Sequence, residues 1–265
     1  MRDLKAARPF AILCLLGLAL APAAPLATFA AEEPSPPRLL LPPASPLPPD
    51  GRYLADDQLK FMIDHDGDRT RLRFLGGDEV FYLSSEPAPL GGRALKYDTG
   101  DVALQVAGWG GVTLYTAEDP SGVPAEHADD DIDDFEPKPV AGRDLKAFAA
   151  RLSQTLVTGF DFAVGFTADW DELATADAEK ERGLAVDSMR NAARAVALIA
   201  GGEKRALIAE RFHLVRVLEA AQPGLRLQEG TLTISYAPQL GSGARPSSLA
   251  IVKILEAGFS QAASP

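Results

Sequence analysis

The stretch LKYDTGDVALQVAGWGGVTLYT, residues 95–116, decides how the chain is read. Apolar residues alternate through three short runs, and glycine with aspartate interrupts them twice. Leu95-Lys96-Tyr97 leads into a turn around Gly100-Asp101. Residues 102–106 then alternate up to the glycines at 108, 110 and 111, and residues 112–115 complete the third run. A period of two bounded by Gly and Asp predicts antiparallel strands joined by tight turns.

Upstream, the same grammar extends back to Arg52. Residues 59–63 are followed by the turn Asp64-His65-Asp66-Gly67-Asp68. Leu72 and Phe74 alternate with Arg71 and Arg73, and Gly76-Gly77 breaks the run before residues 80–83. Both halves place a Leu-Lys-aromatic run before a Gly-Asp turn and a glycine pair before the third strand. This pattern reads as a repeated three-stranded meander. Six strands with one apolar face predict a curled antiparallel sheet or a small barrel over residues 51–116.

Downstream, residues 117–137 carry nine acidic side chains and no Lys or Arg. A run of that kind repels itself and stays solvated, so residues 117–141 are expected to be an acidic loop between two regions. From residue 142 the period changes. Leu145, Phe148, Ala149, Leu152 and Leu156 lie on one helical face, as do Val186, Met189, Ala193, Val196 and Ala200 before the stop at Gly201-Gly202. Residues 160–166 suggest a short strand, and residues 203–211 a helix. Residues 214–218, 225–227 and 231–236 are strand-like. Ser247 or Ser248 should cap a last helix that Gly258 ends. The fold class is therefore α+β: an N-terminal antiparallel sheet or barrel, central helices, then a C-terminal hairpin and helix within a mixed region, residues 142–265.

The N-terminal fifty residues fall outside that fold. Arg2, Lys5 and Arg8 precede an apolar run over residues 10–20 and a small-residue segment ending at Ala30. This is the pattern of a cleaved signal peptide, residues 1–30, with the apolar run too short to span a bilayer comfortably. Residues 31–50 are proline-rich and read as a semi-rigid linker. Cys14, the only cysteine, lies in the apolar run without the small residue that lipid attachment requires before it. The expected location is the periplasm or outside the cell. Loss of residues 1–30 removes three basic groups and one acid, taking the net charge from −11 to −13. So acidic a chain repels nucleic acid and anionic membranes and favours cationic partners.

Each candidate for chemistry has a plainer structural reading. Asp98-Thr99-Gly100 matches the aspartic-protease tripeptide, but that chemistry needs two carboxylates sharing a proton. The chain has no second Asp-Ser/Thr-Gly, and Asp101 stands where a small residue belongs. Asp98 reads as a turn residue. Asp64, Asp66 and Asp68 alternate as in a calcium loop, yet Arg69 and Leu75 occupy the positions that need Gly and Glu. Asp129-Asp130-Asp131 with Asp133-Asp134 could at most hold calcium loosely. His65, His127 and His213 lack metal spacing. Trp109 and Trp170 read as core anchors, and Arg245-Pro246-Ser247-Ser248 as a helix entry. No catalytic, cofactor-binding or metal residue is assigned, and no cofactor is expected.

The motifs Leu72-Arg73-Phe74, residues 87–92, Tyr97-Asp98-Thr99-Gly100-Asp101 and residues 110–116 resemble an uncharacterised family of exported alphaproteobacterial proteins. That family is known only as a domain of unknown function. The resemblance resumes between Pro223 and Ser248, through Pro-Gly, Gly-Thr-Leu and Arg-Pro-Ser-Ser. It implies export and an α+β fold, and it carries no activity. Two function classes follow. The first is a non-catalytic binding or envelope-associated module with an unknown protein or envelope partner. The second is an envelope hydrolase acting through carboxylates. Convergence of acids in an apolar cleft would favour the second.

Overall fold

The computed structural model describes residues 47–56, 59–129, 135 and 140–260, all within one compact unit spanning residues 41–265. The expected leader and residues 31–46 of the expected linker lie outside the described residues. Eight strands form a closed up-and-down barrel: β1 (Gly51–Ala55), β2 (Leu59–Asp66), β3 (Arg69–Phe74), β4 (Phe81–Pro87), β5 (Arg93–Lys96), β6 (Val102–Val106), β7 (Val112–Leu114) and β8 (Val123–Asp129). Every neighbouring pair is antiparallel, and β8 returns to β1 with Ala55 opposite Ala125 and Tyr53 opposite His127. The antiparallel sheet expected from the sequence is therefore present, with two strands more than the alternation announces.

The β5–β6 and β6–β7 turns are built alike. Tyr97 N–H donates to Asp101 O and Gly100 N–H to Tyr97 O, while Ala107 N–H donates to Gly111 O and Gly110 N–H to Ala107 O. The fourth residue of each turn has a left-handed φ, +86° at Gly100 and +95° at Gly110, which glycine adopts without a Cβ clash.

Strand β8 runs through the stretch expected to be a solvated acidic loop. Only Val123 and Ala125 pack against the barrel core, and its other residues are exposed. Pairing, rather than side-chain burial, recruits it. Without β8 the β1 and β7 edges would leave rows of backbone donors and acceptors unmet.

The barrel is filled by one face of each strand, including Ile63, Leu72, Leu83, Leu95, Leu104 and Leu114. Rings stand side by side around the interior in the order Tyr53, Phe61, Phe74, Phe81, Tyr97, with successive centroids between 5.2 and 6.3 Å apart. Such pairs add about 0.5–1.5 kcal/mol each beyond their buried area. Tyr53 Oη donates to Pro49 O at 2.7 Å, and burial, with the Asp50 charge, pushes its hydroxyl pKa up to about 12.

The second half packs helices on a four-stranded sheet. The helices are α1 (Leu145–Phe160), α2 (Trp170–Leu173), α3 (Glu179–Ala200), α4 (Arg205–Arg211) and α5 (Ser248–Ser260). The strands are β9 (Gly165–Thr167), β10 (Leu214–Glu219), β11 (Gly224–Gln228) and β12 (Thr231–Tyr236), in spatial order β11-β12-β10-β9. The expected hairpin is β11–β12, and β10 lies parallel to both β12 and β9. Helix α3 is central: Ala185, Met189, Ala192, Val196 and Ile199 are buried with α1, α5 and the sheet. Its alanines allow that close approach.

Gly258 does not end α5, which continues to Ser260. A Cβ at that position would lie 2.5 Å from the Leu227 side chain, so the glycine permits the helix to sit on β11. Trp109 is the other departure. It stands at a turn apex between glycines, 81% exposed, and anchors no core. Trp170 packs against the helical core as expected.

Candidate functional site

The first turn of α5 is where the two halves are joined. Pro246 fits the entry to a helix but not its interior, and it biases Arg245 away from helical backbone. Ser247 is therefore the N-cap, its Oγ accepting the Ala250 N–H at 3.1 Å. The exposed N–H groups of a helix start carry partial positive charge and need acceptors. Here two barrel carboxylates supply them. Asp98, from the β5–β6 turn, accepts the Ser247 N–H on Oδ2 at 2.7 Å and the Ser247 hydroxyl on Oδ1 at 2.6 Å. Glu79, from the β3–β4 connection, accepts the Ser248 N–H on Oε1 at 2.8 Å and the Ser248 hydroxyl on Oε2 at 2.5 Å. Lys253, one turn further on, donates to Thr99 O at 3.1 Å and lies 3.7 Å from Asp101.

Arg245 extends the same junction inward. Its Nε and Nη2 each reach Asp187 Oδ2 on α3 at 2.5 Å, its Nη2 also donates to Val80 O at 3.2 Å, and its guanidinium stands 5.6 Å over the Tyr82 ring. A buried charge survives only when paired and hydrogen-bonded, and this one meets both conditions. On α3, Asn191 donates to Pro246 O at 2.9 Å, and Arg194 spans from Asn191 to Asp78 of the barrel, with Nη2 2.7 Å from the Asp78 carboxylate. The side chains of Arg245, Ser247 and Ser248 thus each have a partner on another element.

Glu79 is 8% exposed. Burial raises its carboxyl pKa above the usual carboxylate range, against the opposing pull of the Ser248 hydrogen bonds and the Arg194 and Arg245 charges. Burial, together with the Glu79 charge, also raises the Tyr97 hydroxyl.

Beside this junction lies a cleft of about 1450 Å³. Leu59, Phe74 and Phe81 of the barrel, Leu198 of α3 and Leu249 of α5 give it apolar walls, while Glu79, Lys96, Gln105, Tyr115 and Arg194 bring polar groups to it. Tyr115 Oη donates to Gln105 Oε1 at 2.9 Å. A second hollow of about 520 Å³ is lined by Tyr82, Asp98, Arg245 and Ser247 among others.

The residues singled out from sequence are placed as follows. Asp98 and the Arg-Pro-Ser-Ser segment, read separately, meet each other. Asp98 sits in its turn, but its carboxylate serves Ser247, and Thr99 Oγ1 takes the turn's own Asp101 N–H at 3.3 Å. Asp64 pairs with Arg71 across β2–β3, and Asp66 accepts from the Ser242 hydroxyl at 3.2 Å. Asp68 lines the smaller hollow. His65 and His127 both reach Asp50, through its carboxylate and its carbonyl respectively, while His213 bonds Arg211 O. Asp129 lies 4.0 Å from Arg52, and residues 130–134 lie outside the described residues. Among the described residues no group of three or more His, Cys, Asp or Glu gathers as a metal site would require.

Glu79, Asp187, Asn191 and Arg194 were not anticipated. Glu79 lies 169 residues from its partner, so no local pattern marks it. The paired serines after Arg-Pro were the only hint that acceptors were needed nearby.

A family model described as Domain of unknown function (DUF4908) matches residues 41–255. No curated protein and no solved structure matches the chain.

Proposed function

The chain belongs to the family of that domain of unknown function, which lends it no chemistry, and from the geometry we propose that it is a non-catalytic binding module of the cell envelope. Its ligand would be an apolar molecule with a neutral or cationic head, held in the cleft beside the barrel mouth. The observation that carries this reading is the cleft itself: about 1450 Å³, walled by Phe74, Phe81, Leu198 and Leu249, with a few polar groups to orient a guest. The acids around it, Asp78, Glu79, Glu86, Asp101 and Glu118, outnumber the bases Lys96 and Arg194, which disfavours an anionic head.

A carboxylate-dependent hydrolase finds less support. Glu79 and Asp98 come to consecutive residues, yet each gives both oxygens to the start of α5. Asp64 and Asp66 are engaged elsewhere, with Arg71 and Ser242. The export assignment rests on the leader pattern of residues 1–30 and on the exported, alphaproteobacterial character that the resemblance implies. Location in the periplasm or outside the cell is part of the same proposal. Among the described residues no helix is long and apolar enough to cross a membrane.

Titration with N-phenyl-1-naphthylamine, a neutral apolar fluorophore, tests the cleft. The proposal expects saturable binding to one site, weakened at least about tenfold by Ala94→Trp, which fills the cleft from a lining position on β5. Absence of saturable binding, or binding indifferent to a folded Ala94→Trp variant, would refute it.

A further inference from the structure

Two loops rise from one rim of the barrel, on the side away from the β5–β6 turn. The β4–β5 connection and the β6–β7 turn flank strands paired through Arg93 and Val106. Their backbones touch: a Cβ on Gly108 would lie 2.5 Å from Leu90 O, and one on Gly92 would lie 2.6 Å from Val106 O. At the two apices stand Leu90 and Trp109, 86% and 81% exposed.

Several features single this pair out. Leu90 holds a left-handed φ of 58°, a conformation that disfavours bulky side chains. Its exposure means that no packing inside the fold compensates for that strain. Residues 87–92 and 107–112 contain no charged side chain, in a chain where 24% of residues are charged. The tips project instead of forming a groove, so an extended soft surface fits them better than a protruding partner. A tryptophan with an apolar body and one N–H donor suits the bilayer interface, and shallow insertion calls for uncharged apolar tips. The same rim carries carboxylates at Asp50, Asp66, Asp68 and Asp129 against guanidinium groups at Arg52, Arg69 and Arg93, a balance that offers an anionic surface no net attraction.

We propose that Leu90 and Trp109 form a two-point anchor that inserts shallowly into the interface of a zwitterionic lipid bilayer. Pro87, Ala88 and Pro89 of the same connection help to line the ligand cleft, but Leu90 and Trp109 are not among its lining residues, so the anchor is tested separately from it.

The test uses the Trp170→Phe background, so that Trp109 alone reports by fluorescence, with vesicles of pure phosphatidylcholine. The expected result is co-sedimentation with a blue shift of Trp109 emission. Trp109→Ser and Leu90→Asn should each weaken sedimentation at least about tenfold, the loss expected for one buried large apolar side chain. Asparagine tolerates left-handed backbone, so Leu90→Asn should keep or raise the thermal midpoint, which separates lost anchoring from lost folding. Adding phosphatidylglycerol should not strengthen binding. No blue shift and no sedimentation with phosphatidylcholine would overturn the proposal. So would binding that survives both substitutions, or binding that requires phosphatidylglycerol.

Discussion

Replacing Glu79 separates a structural carboxylate from a reactive one. Glu79→Ala would strand two donors, the N–H and the hydroxyl of Ser248, a residue that is itself only 1% exposed. Each unpaired buried donor costs about 1–3 kcal/mol. Removing the carboxylate also relieves the cost of burying it, so the net loss should be about 2–5 kcal/mol, a large share of the ~5–15 kcal/mol that holds a typical domain. Glu79→Gln keeps the acceptor for the Ser248 N–H, and its amide can donate to Ser248 Oγ once that hydroxyl rotates. Its stability should stay within about 1 kcal/mol of the parent at neutral pH.

The pH dependence has a definite sign. Burial raises the folded-state pKa of Glu79 above its ordinary value of 4.5, so the native state binds this proton more readily than the unfolded chain. Protonation therefore favours folding: the contribution is complete below the ordinary value and is lost as pH rises through the raised one. Glu79→Gln has no such proton, so its stability relative to the parent should improve as pH rises from the acidic side toward neutral. Urea unfolding followed by far-UV circular dichroism across that range measures both effects, the midpoint moving with an unchanged slope. An alanine variant within about 0.5 kcal/mol of the parent, or a glutamine variant as unstable as alanine, would refute the reasoning.

Asp98 is more exposed than Glu79, so water can replace part of what it gives. Asp98→Ala should cost about 1–2 kcal/mol, and a double-mutant cycle with Ser247→Ala should show coupling of about 1 kcal/mol in urea unfolding. Arg245→Lys cannot reproduce the fork onto Asp187 together with the bond to Val80 O and the place above Tyr82. Thermal denaturation should show a loss of about 2–4 kcal/mol, although the positive charge is kept.

Much of this architecture was legible residue by residue. Gly100 and Gly110 are demanded by left-handed turn positions, so alternation plus glycine located β5, β6 and β7 correctly. The alanine-rich face of α3 and the serine cap of α5 were equally visible because helix periodicity and capping are local. β8 was hidden because only Val123 and Ala125 face the core; its place is dictated by the open edges of β1 and β7, which sequence alternation does not register. Trp109 was misread because aromatic residues usually signal a core, and the glycines on either side carried the opposite message. The junction at α5 was half legible. Asp98 and Ser247-Ser248 each stood out, one as a possible catalytic acid and the other as a helix entry, but their meeting depends on barrel closure. Glu79, between the Gly76-Gly77 break and the next strand, belongs to no alternating run and to no motif.

The central claim is that the acids at the start of α5 fasten the barrel to the helical half. Native-state hydrogen exchange tests it most directly by comparing core amides of the barrel, such as Leu72 and Leu104, with those of the helical half, such as Val196 and Ile234. In the parent chain the two sets should exchange with the same opening free energy, as parts of one cooperative unit. In the Glu79→Ala, Asp98→Ala double variant the two sets should separate, one opening at least about 2 kcal/mol more easily than the other. Two sets already separate in the parent, or still merged in a folded double variant, would contradict the account.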